Sequence, residues 1–173
     1  MRREPELERL YDEHAQALYA FLLSFTRDES DTYDLLQEIF VKLARNPELL
    51  DGIRDQRAFL IRLAQNAAID LIRRRGTRER TKENFAAETI SPFASASNSD
   101  EQTFRTELAG ALAGLPPDQR AVVHLKLWEG LTFEQIADAL NIPPNTAASR
   151  YRYALDKLRK RLRPLYEEMK KAE

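Results

Sequence analysis

Six side chains able to pair with nucleic-acid bases or phosphates fall close together: Asn145, Thr146, Ser149, Arg150, Arg152 and Tyr153. Arginine can donate two bonds to a guanine edge and asparagine can exchange two with adenine, each good pair discriminating by about 1 to 3 kcal/mol. The stretch continues through Lys157, Arg159, Lys160 and Arg161, too far along for bases and suited to the phosphate backbone or to solvated charge. Residues 150 to 163 hold 7 basic groups and 1 acidic group, a net of +6. A second basic block, residues 71 to 82, holds 6 and 1, a net of +5, and contains the run Arg73-Arg74-Arg75. The chain total of −1 conceals both, because residues 1 to 70 carry 9 basic against 14 acidic groups. Local concentrations of this kind create the field that phosphates feel. For the arginine triplet alone, a solvated helix end favoured by the helix dipole is an equally simple account.

Other chemistries find little support. The chain has no cysteine, which removes disulfides, thiolate metal sites and cysteine nucleophiles. His14 and His124 are the only imidazoles, and neither has a ligand cluster nearby. A structural metal site typically needs about four ligands, so both read as ordinary packed or surface histidines. No nucleophile–base pair or glycine-rich phosphate loop is evident, so no catalytic residue, metal or cofactor is expected. No apolar run approaches the roughly 20 residues of a bilayer crossing, and the acidic start MRREPELERL lacks the apolar centre of a signal peptide. These features predict a cytoplasmic location without membrane insertion.

The six polar side chains need a platform, and Thr132 to Arg152 supplies the pattern of a helix-turn-helix. Thr132-Phe133-Glu134-Gln135 reads as a capping box. Ile136, Ala137 and Leu140 point inward from a short helix, Ala137 being small enough for a close crossing. Asn141 stands where the chain must turn and is among the few residues that tolerate the left-handed conformation. Pro144 suits the first turn of the next helix, where its missing N–H would have had no partner. The second helix of such a motif can lie in the major groove, its first residues at base edges and its basic continuation at phosphates. An αα-hairpin packed for stability alone is the plainer alternative.

Ahead of this motif the apolar spacing predicts three helices. The first carries Leu7, Leu10, Tyr11, Leu18, Phe21, Leu22 and Phe25 on one stripe and ends near Arg27. The second starts around Asp28 to Asp31, turns Leu35, Leu36, Ile39, Phe40 and Leu43 inward, and stops at Asn46-Pro47. The third follows Asp51-Gly52 and runs through Phe59, Leu60, Leu63, Ala67, Leu71 and Ile72 into the arginines and Gly76. From about Arg78 the period dissolves into a Ser/Thr/Asn-rich stretch in which Phe85, Ile90 and Phe93 could dock on a partner. Helical spacing returns at Phe104, breaks at Leu115-Pro116-Pro117 and resumes to Trp128, and the last helix should end about Arg163. The expected fold is all-α: two small helical domains, 1–77 and 104–173, joined by a flexible linker, 78–103, the second domain containing the helix-turn-helix.

Two separate signatures resemble the extracytoplasmic-function (ECF) sigma factors of bacterial RNA polymerase. Asp34-Leu35-Leu36-Gln37-Glu38-Ile39-Phe40, with Ala58-Phe59-Leu60 and Ala67-Ala68-Ile69-Asp70-Leu71-Ile72-Arg73, is similar to region two of that family. Leu115-Pro116-Pro117-Asp118-Gln119-Arg120 and the helix-turn-helix are similar to region four. The resemblance implies a subunit that directs the polymerase core to promoters and helps melt them. Asp34, Gln37 and Glu38 would then meet the polymerase clamp, with Leu36 and Phe40 in the core. Arg57, Phe59, Arg62, Asn66, Arg73 and Arg74 would face the melted strand, a flipped base being held by the loop Asp51 to Gln56. Asn145, Thr146, Ser149, Arg150, Arg152 and Tyr153 would read the upstream duplex, while region four also touches the polymerase flap.

The chain departs from the family pattern in places. Phe59 stands for the usual Trp, Ala44 for a common aromatic, Gln65 for an Arg, Pro143 for a frequent capping Ser, and Ala147-Ala148 for Val-Lys. Bases stacked on aromatics gain about 1 to 3 kcal/mol each, so with few aromatics on this face the free subunit should bind DNA poorly and melt it only with the polymerase. Many family members are sequestered by an anti-sigma protein. The free chain is expected to be compact, its basic lobes partly masked by residues 83 to 107. A helix-turn-helix response regulator is the competing reading, but it leaves the Asp34–Phe40 segment and the arginine-ended third helix without a role.

Overall fold

The computed structural model describes residues 4–79 and 99–171, and among them the regular structure is seven α-helices and one short 3-10 turn. Helices α1 (Glu4–Thr26) and α2 (Glu29–Arg45) are divided by a two-residue corner in which Arg27 takes a left-handed φ of 54°. The Asp28 carboxylate caps α2, accepting from the Asp31 amide at 2.8 Å. Beneath the corner the buried hydroxyls of Thr26 and Thr32 share a 2.6 Å hydrogen bond, and Thr32 also donates to the Asp28 carbonyl. Asn46 closes α2 by donating its side-chain amide to the Lys42 carbonyl, and Pro47–Leu50 forms the 3-10 turn. Gly52, at φ 75°, then reverses the chain, and Asp55 caps α3 (Gln56–Glu79) by accepting from the Ala58 amide at 2.9 Å.

Helix α3 outlasts the stop expected at Arg75-Gly76. Arg75 pairs with Asp31 and donates to the Thr26 carbonyl, which ties this end of the helix to the α1–α2 corner and carries the backbone past the glycine. The second basic block is thus a helix end docked on its own lobe at Arg75, while Arg73 and Arg74 stay exposed and bond back to Asp70. Helix α4 (Ser99–Ala113) likewise begins before Phe104, so both ends of the expected linker are helical. Phe85, Ile90 and Phe93 lie outside the described residues, as does most of the segment expected to mask the lobes.

Helices α5 (Pro117–Leu127), α6 (Phe133–Leu140) and α7 (Pro144–Lys171) complete the later lobe. The capping box at Thr132 and Gln135 is present in both directions, at 3.2 and 2.9 Å. Asn141 sits at φ 55°, ψ 50°, the left-handed turn its side-chain type tolerates. Helix α7 passes its expected end at Arg163 and holds Pro164 inside it. Lys160, Arg163 and Pro164 are exposed, so the carbonyl that loses its N–H partner lies on a wetted turn and the helix continues.

Helices α1, α2 and α3 pack together, and the later lobe is laid directly on them, α6 against α3 and α5 against α1. One apolar core crosses the boundary, joining Leu10, Phe21, Leu22, Leu43 and Leu60 to Val122, Leu125, Ile136 and Leu140. A smaller cluster of Ala111, Leu115, Val123, Ala154 and Leu158 holds α4 and α7 to the back of α5. Arg120 bolts the joint between these layers. Its guanidinium, buried, donates to the Leu112, Ala113 and Leu115 carbonyls of its own lobe and to the Ser24 carbonyl of α1, with the Phe25 ring 5.6 Å away. No helix among the described residues is long and apolar enough to cross a membrane.

Candidate nucleic-acid interface

The first two turns of α7 stand on Ala147 and Ala154, both fully buried against the rest of the lobe. With about 100° between successive residues, that footing turns Asn145, Ser149 and Arg152 toward solvent on one face, with Thr146 and Tyr153 beside them. Asn145, Arg152 and Tyr153 are exposed, and Thr146 and Ser149 half-buried. Ser149 returns its hydroxyl to the Asn145 carbonyl at 2.8 Å, and the Arg152 guanidinium lies 5.3 Å from the Tyr153 ring. Arg150 sits at the flank of this face, where its Nε is 3.2 Å from the Asp118 carboxylate of α5. The structure therefore brings all six residues to one end of one helix, and one of them is braced by an acid that spacing within the motif did not reveal. Alongside runs an open cleft of about 680 Å³ with Phe133, Tyr151 and Leu155 on its walls, mostly apolar in character and likewise unforeseen.

The six residues expected at a melted strand divide differently. Asn66, Arg73 and Arg74 lie exposed along α3. Arg57, Phe59 and Arg62, all within the first two turns of α3, meet the later lobe or the cleft beside it. Arg57 is paired with Glu129 at 2.8 Å and reaches its carbonyl at 3.3 Å. Arg62 donates to the Asp138 and Ala139 carbonyls at 2.7 and 3.3 Å, at the C-terminal end of α6 where the helix dipole is negative. Phe59 is half-buried and, with Gly52 and Arg62, walls an open cleft of about 630 Å³ whose other side is Ala137, Asn141 and Pro143 of the helix-turn-helix. The loop expected to hold a base thus borders a cleft with the second lobe across it.

Electrostatics concentrate at Glu129. His124 holds its carboxyl below the usual carboxylate range, with Arg57 acting in the same direction and burial opposing both. The His124 Nε2 lies 3.8 Å from Glu129 Oε1, and its ring stacks on Trp128 and meets the edge of Phe21. His124 is thus a packed histidine at the lobe boundary; among the described residues there is no cluster that could hold a metal.

On the opposite side, α2 buries Leu35, Leu36, Ile39, Phe40 and Leu43 and presents Asp34, Gln37 and Glu38 to solvent. Tyr33 and Val41 are exposed on the same side, 58% and 44%, flanking the three polar residues with apolar surface. Their place outside the inward stripe of α2 is the signal in the sequence that marks them as surface. A centre with two carboxylates and an aromatic and an aliphatic neighbour suits a protein partner better than a phosphate backbone, since Asp34 and Glu38 repel phosphate and the cations Lys42 and Arg45 sit only in the last turn.

Residues 10–78 match the sigma-70 region 2 family and residues 111–160 the sigma-70 region 4 family. The chain is 34% identical to the ECF RNA polymerase sigma factor SigL of Mycobacterium tuberculosis over 158 residues, 90% of this chain and 88% of that protein. It is 31% identical to the RNA polymerase sigma factor CarQ of Myxococcus xanthus over 90% of this chain and 88% of that one. In fold it resembles the sigma factor RpoE of Bartonella quintana, solved with the anti-sigma factor NepR, at a TM-score of 0.74 and 22% identity, covering 91% of this chain and 97% of that one. It also resembles CnrH, solved with the cytosolic domain of CnrY, at 0.69 and 22%, covering 93% and 90%.

Proposed function

The chain belongs to the extracytoplasmic-function sigma factors, and from that membership we propose how its surfaces divide the work of directing RNA polymerase to promoters. The early lobe, α1 to α3, serves as region two. Its α2 face, Asp34, Gln37 and Glu38 between Tyr33 and Val41, docks on the polymerase clamp. Its α3 face, Arg57, Phe59, Arg62, Asn66, Arg73 and Arg74, receives the melted strand. The later lobe, α4 to α7, serves as region four, reading duplex with the start of α7 and touching the polymerase flap. The work is binding, not bond chemistry, and it is done in the cytoplasm, where the polymerase and its template are.

The observation that carries this division is the segregation of surface chemistry by helix: exposed carboxylates with Tyr33 and Val41 along α2, its cations Lys42 and Arg45 confined to the last turn, against arginine-lined faces on α3 and α7. Strand separation without nucleotide hydrolysis requires that unpaired bases be stacked and phosphates neutralised, and α3 combines an aromatic with five arginine or asparagine side chains. The sigma factor of similar fold solved with the anti-sigma factor NepR makes a protein inhibitor of that kind part of the same proposal. The test is transcript mapping on genomic templates with reconstituted polymerase. The expected result is initiation at a defined set of promoters only when this chain is added; a chain that neither binds core nor changes the start sites would sink the reading.

A further inference from the structure

Among the described residues, three arginines reach from one lobe to the other, and each finds an acceptor there. Arg57 ends on Glu129, Arg62 on the α6 carbonyls, and Arg120 on the Ser24 carbonyl. The first two are the cations that the melted strand requires. We propose that Glu129 and the C-terminal carbonyls of α6 form an internal stand-in for the nucleic-acid backbone, latching the free chain in a closed state that excludes the melted strand. The proposal rests on the division of surfaces given above and adds to it the residues that hold the closed state.

The chemistry is matched at each contact. A phosphate oxygen and the Glu129 carboxylate are alike to a guanidinium, both being anionic oxygens that accept a charge-assisted bond. The α6 terminus contributes the partial negative charge of its unpaired carbonyls and takes two bonds from Arg62. The cleft between the lobes places Phe59 opposite Asn141 and Pro143, so a strand reaching Phe59 must pass between the lobes while α6 stays where it is. The latch is also displaceable. Arg57 is 43% exposed and Glu129 15%, which leaves their pair open to competition from solvent, salt and an incoming strand. Beneath it the shared core of Leu125, Ile136 and Leu140 holds the rest of the closed state, so opening is an equilibrium that loss of the charged pair shifts and a docking partner shifts further. Polymerase docking on the α2 face, none of whose residues takes part in the latch, is compatible with either state.

The experiment uses the full chain, whose lack of cysteine lets Lys42→Cys and Glu134→Cys, both exposed positions, carry a dye pair across the lobes. Parent, Glu129→Gln, Glu129→Arg and the swapped pair Arg57→Glu with Glu129→Arg are compared by energy transfer and by binding of a labelled single-stranded oligonucleotide. Glu129→Gln should lower transfer and tighten oligonucleotide binding by about tenfold, because apparent affinity scales with the open fraction. Glu129→Arg should open the chain further, and the swapped pair should restore transfer. Unchanged transfer in both single variants overturns the latch, even if binding tightens, since charge alone would then explain the gain. Promoter-dependent transcription by saturating core polymerase should be the same for parent and Glu129→Gln. If neither supports it, the sigma-factor reading fails while the latch is still judged by transfer.

Discussion

Arg150 shows how a neighbour changes what a side chain can do. Its Nε is engaged by Asp118, which fixes the direction of the guanidinium while the carboxylate itself remains 46% exposed. An arginine held in this way loses less rotamer freedom on meeting a base edge than a free one. Arg150→Ala should weaken binding to the upstream promoter duplex by about 1 to 3 kcal/mol while sparing core binding, read by titrating labelled duplex and, separately, core polymerase. If promoter selection survives that change, the proposed orientation of α7 is wrong and the Asn145–Ser149–Arg152 edge carries recognition. The opposite pattern is expected on α2. Changing Gln37 and Glu38 together to alanine should reduce core binding and leave duplex binding intact, because both side chains are exposed and neither supports the core of the lobe.

Among the α-helices of the described residues, α6 is the shortest, 8 residues, and depends most on its ends. A helix of two turns cannot hold itself together by propensity, so the capping box at Thr132 and the left-handed Asn141 set its boundaries. Thr132→Ala should lower the unfolding free energy by about 1 kcal/mol, seen as a fall in the thermal midpoint by circular dichroism. The effect should extend to the closed state, since Arg62 holds the far end of the same helix. Both ends of α6 were legible in the sequence, as were the corner at Asp28 and the inward stripe of α2, because each is a local contest decided by neighbouring residues. The ends of α3 and α7 were not. Gly76 and Pro164 are stop signals only where nothing else holds the backbone, and Arg75 is held by Asp31 and Thr26, residues more than forty positions away. The candidate site was legible to the same extent: the polar face of α7 and the exposed face of α2 follow from helical spacing, whereas the Arg57–Glu129 and Arg62–α6 contacts join residues over seventy apart and left no periodic trace.

For the whole molecule, the core that crosses both lobes means that closure is a property of packing as well as charge, and acid separates the two contributions. The Glu129 carboxyl is held below its usual value by His124 first and Arg57 second, against the burial that pushes the other way. A depressed value means that the carboxylate stabilises the closed, folded chain above the ordinary carboxylate value of 4.5 and loses that contribution as pH falls through its lowered value. The groups facing it are Arg57 from α3 and His124 from α5, with His14 of α1 lining the same small cavity. Arg57 keeps its charge throughout, so protonating Glu129 leaves a cation without its partner at the boundary. The lobes should therefore part on acidification below pH 4.5 before the helices are lost, since among the described residues it is the carboxyl at the lobe boundary whose value is lowered. Small-angle scattering and far-ultraviolet circular dichroism followed together from pH 7 to 3 should show the radius of gyration rising ahead of the loss of helicity. Glu129→Gln should start more expanded at pH 7 and lack that early rise; a variant whose expansion follows the parent's curve would assign the opening to another group.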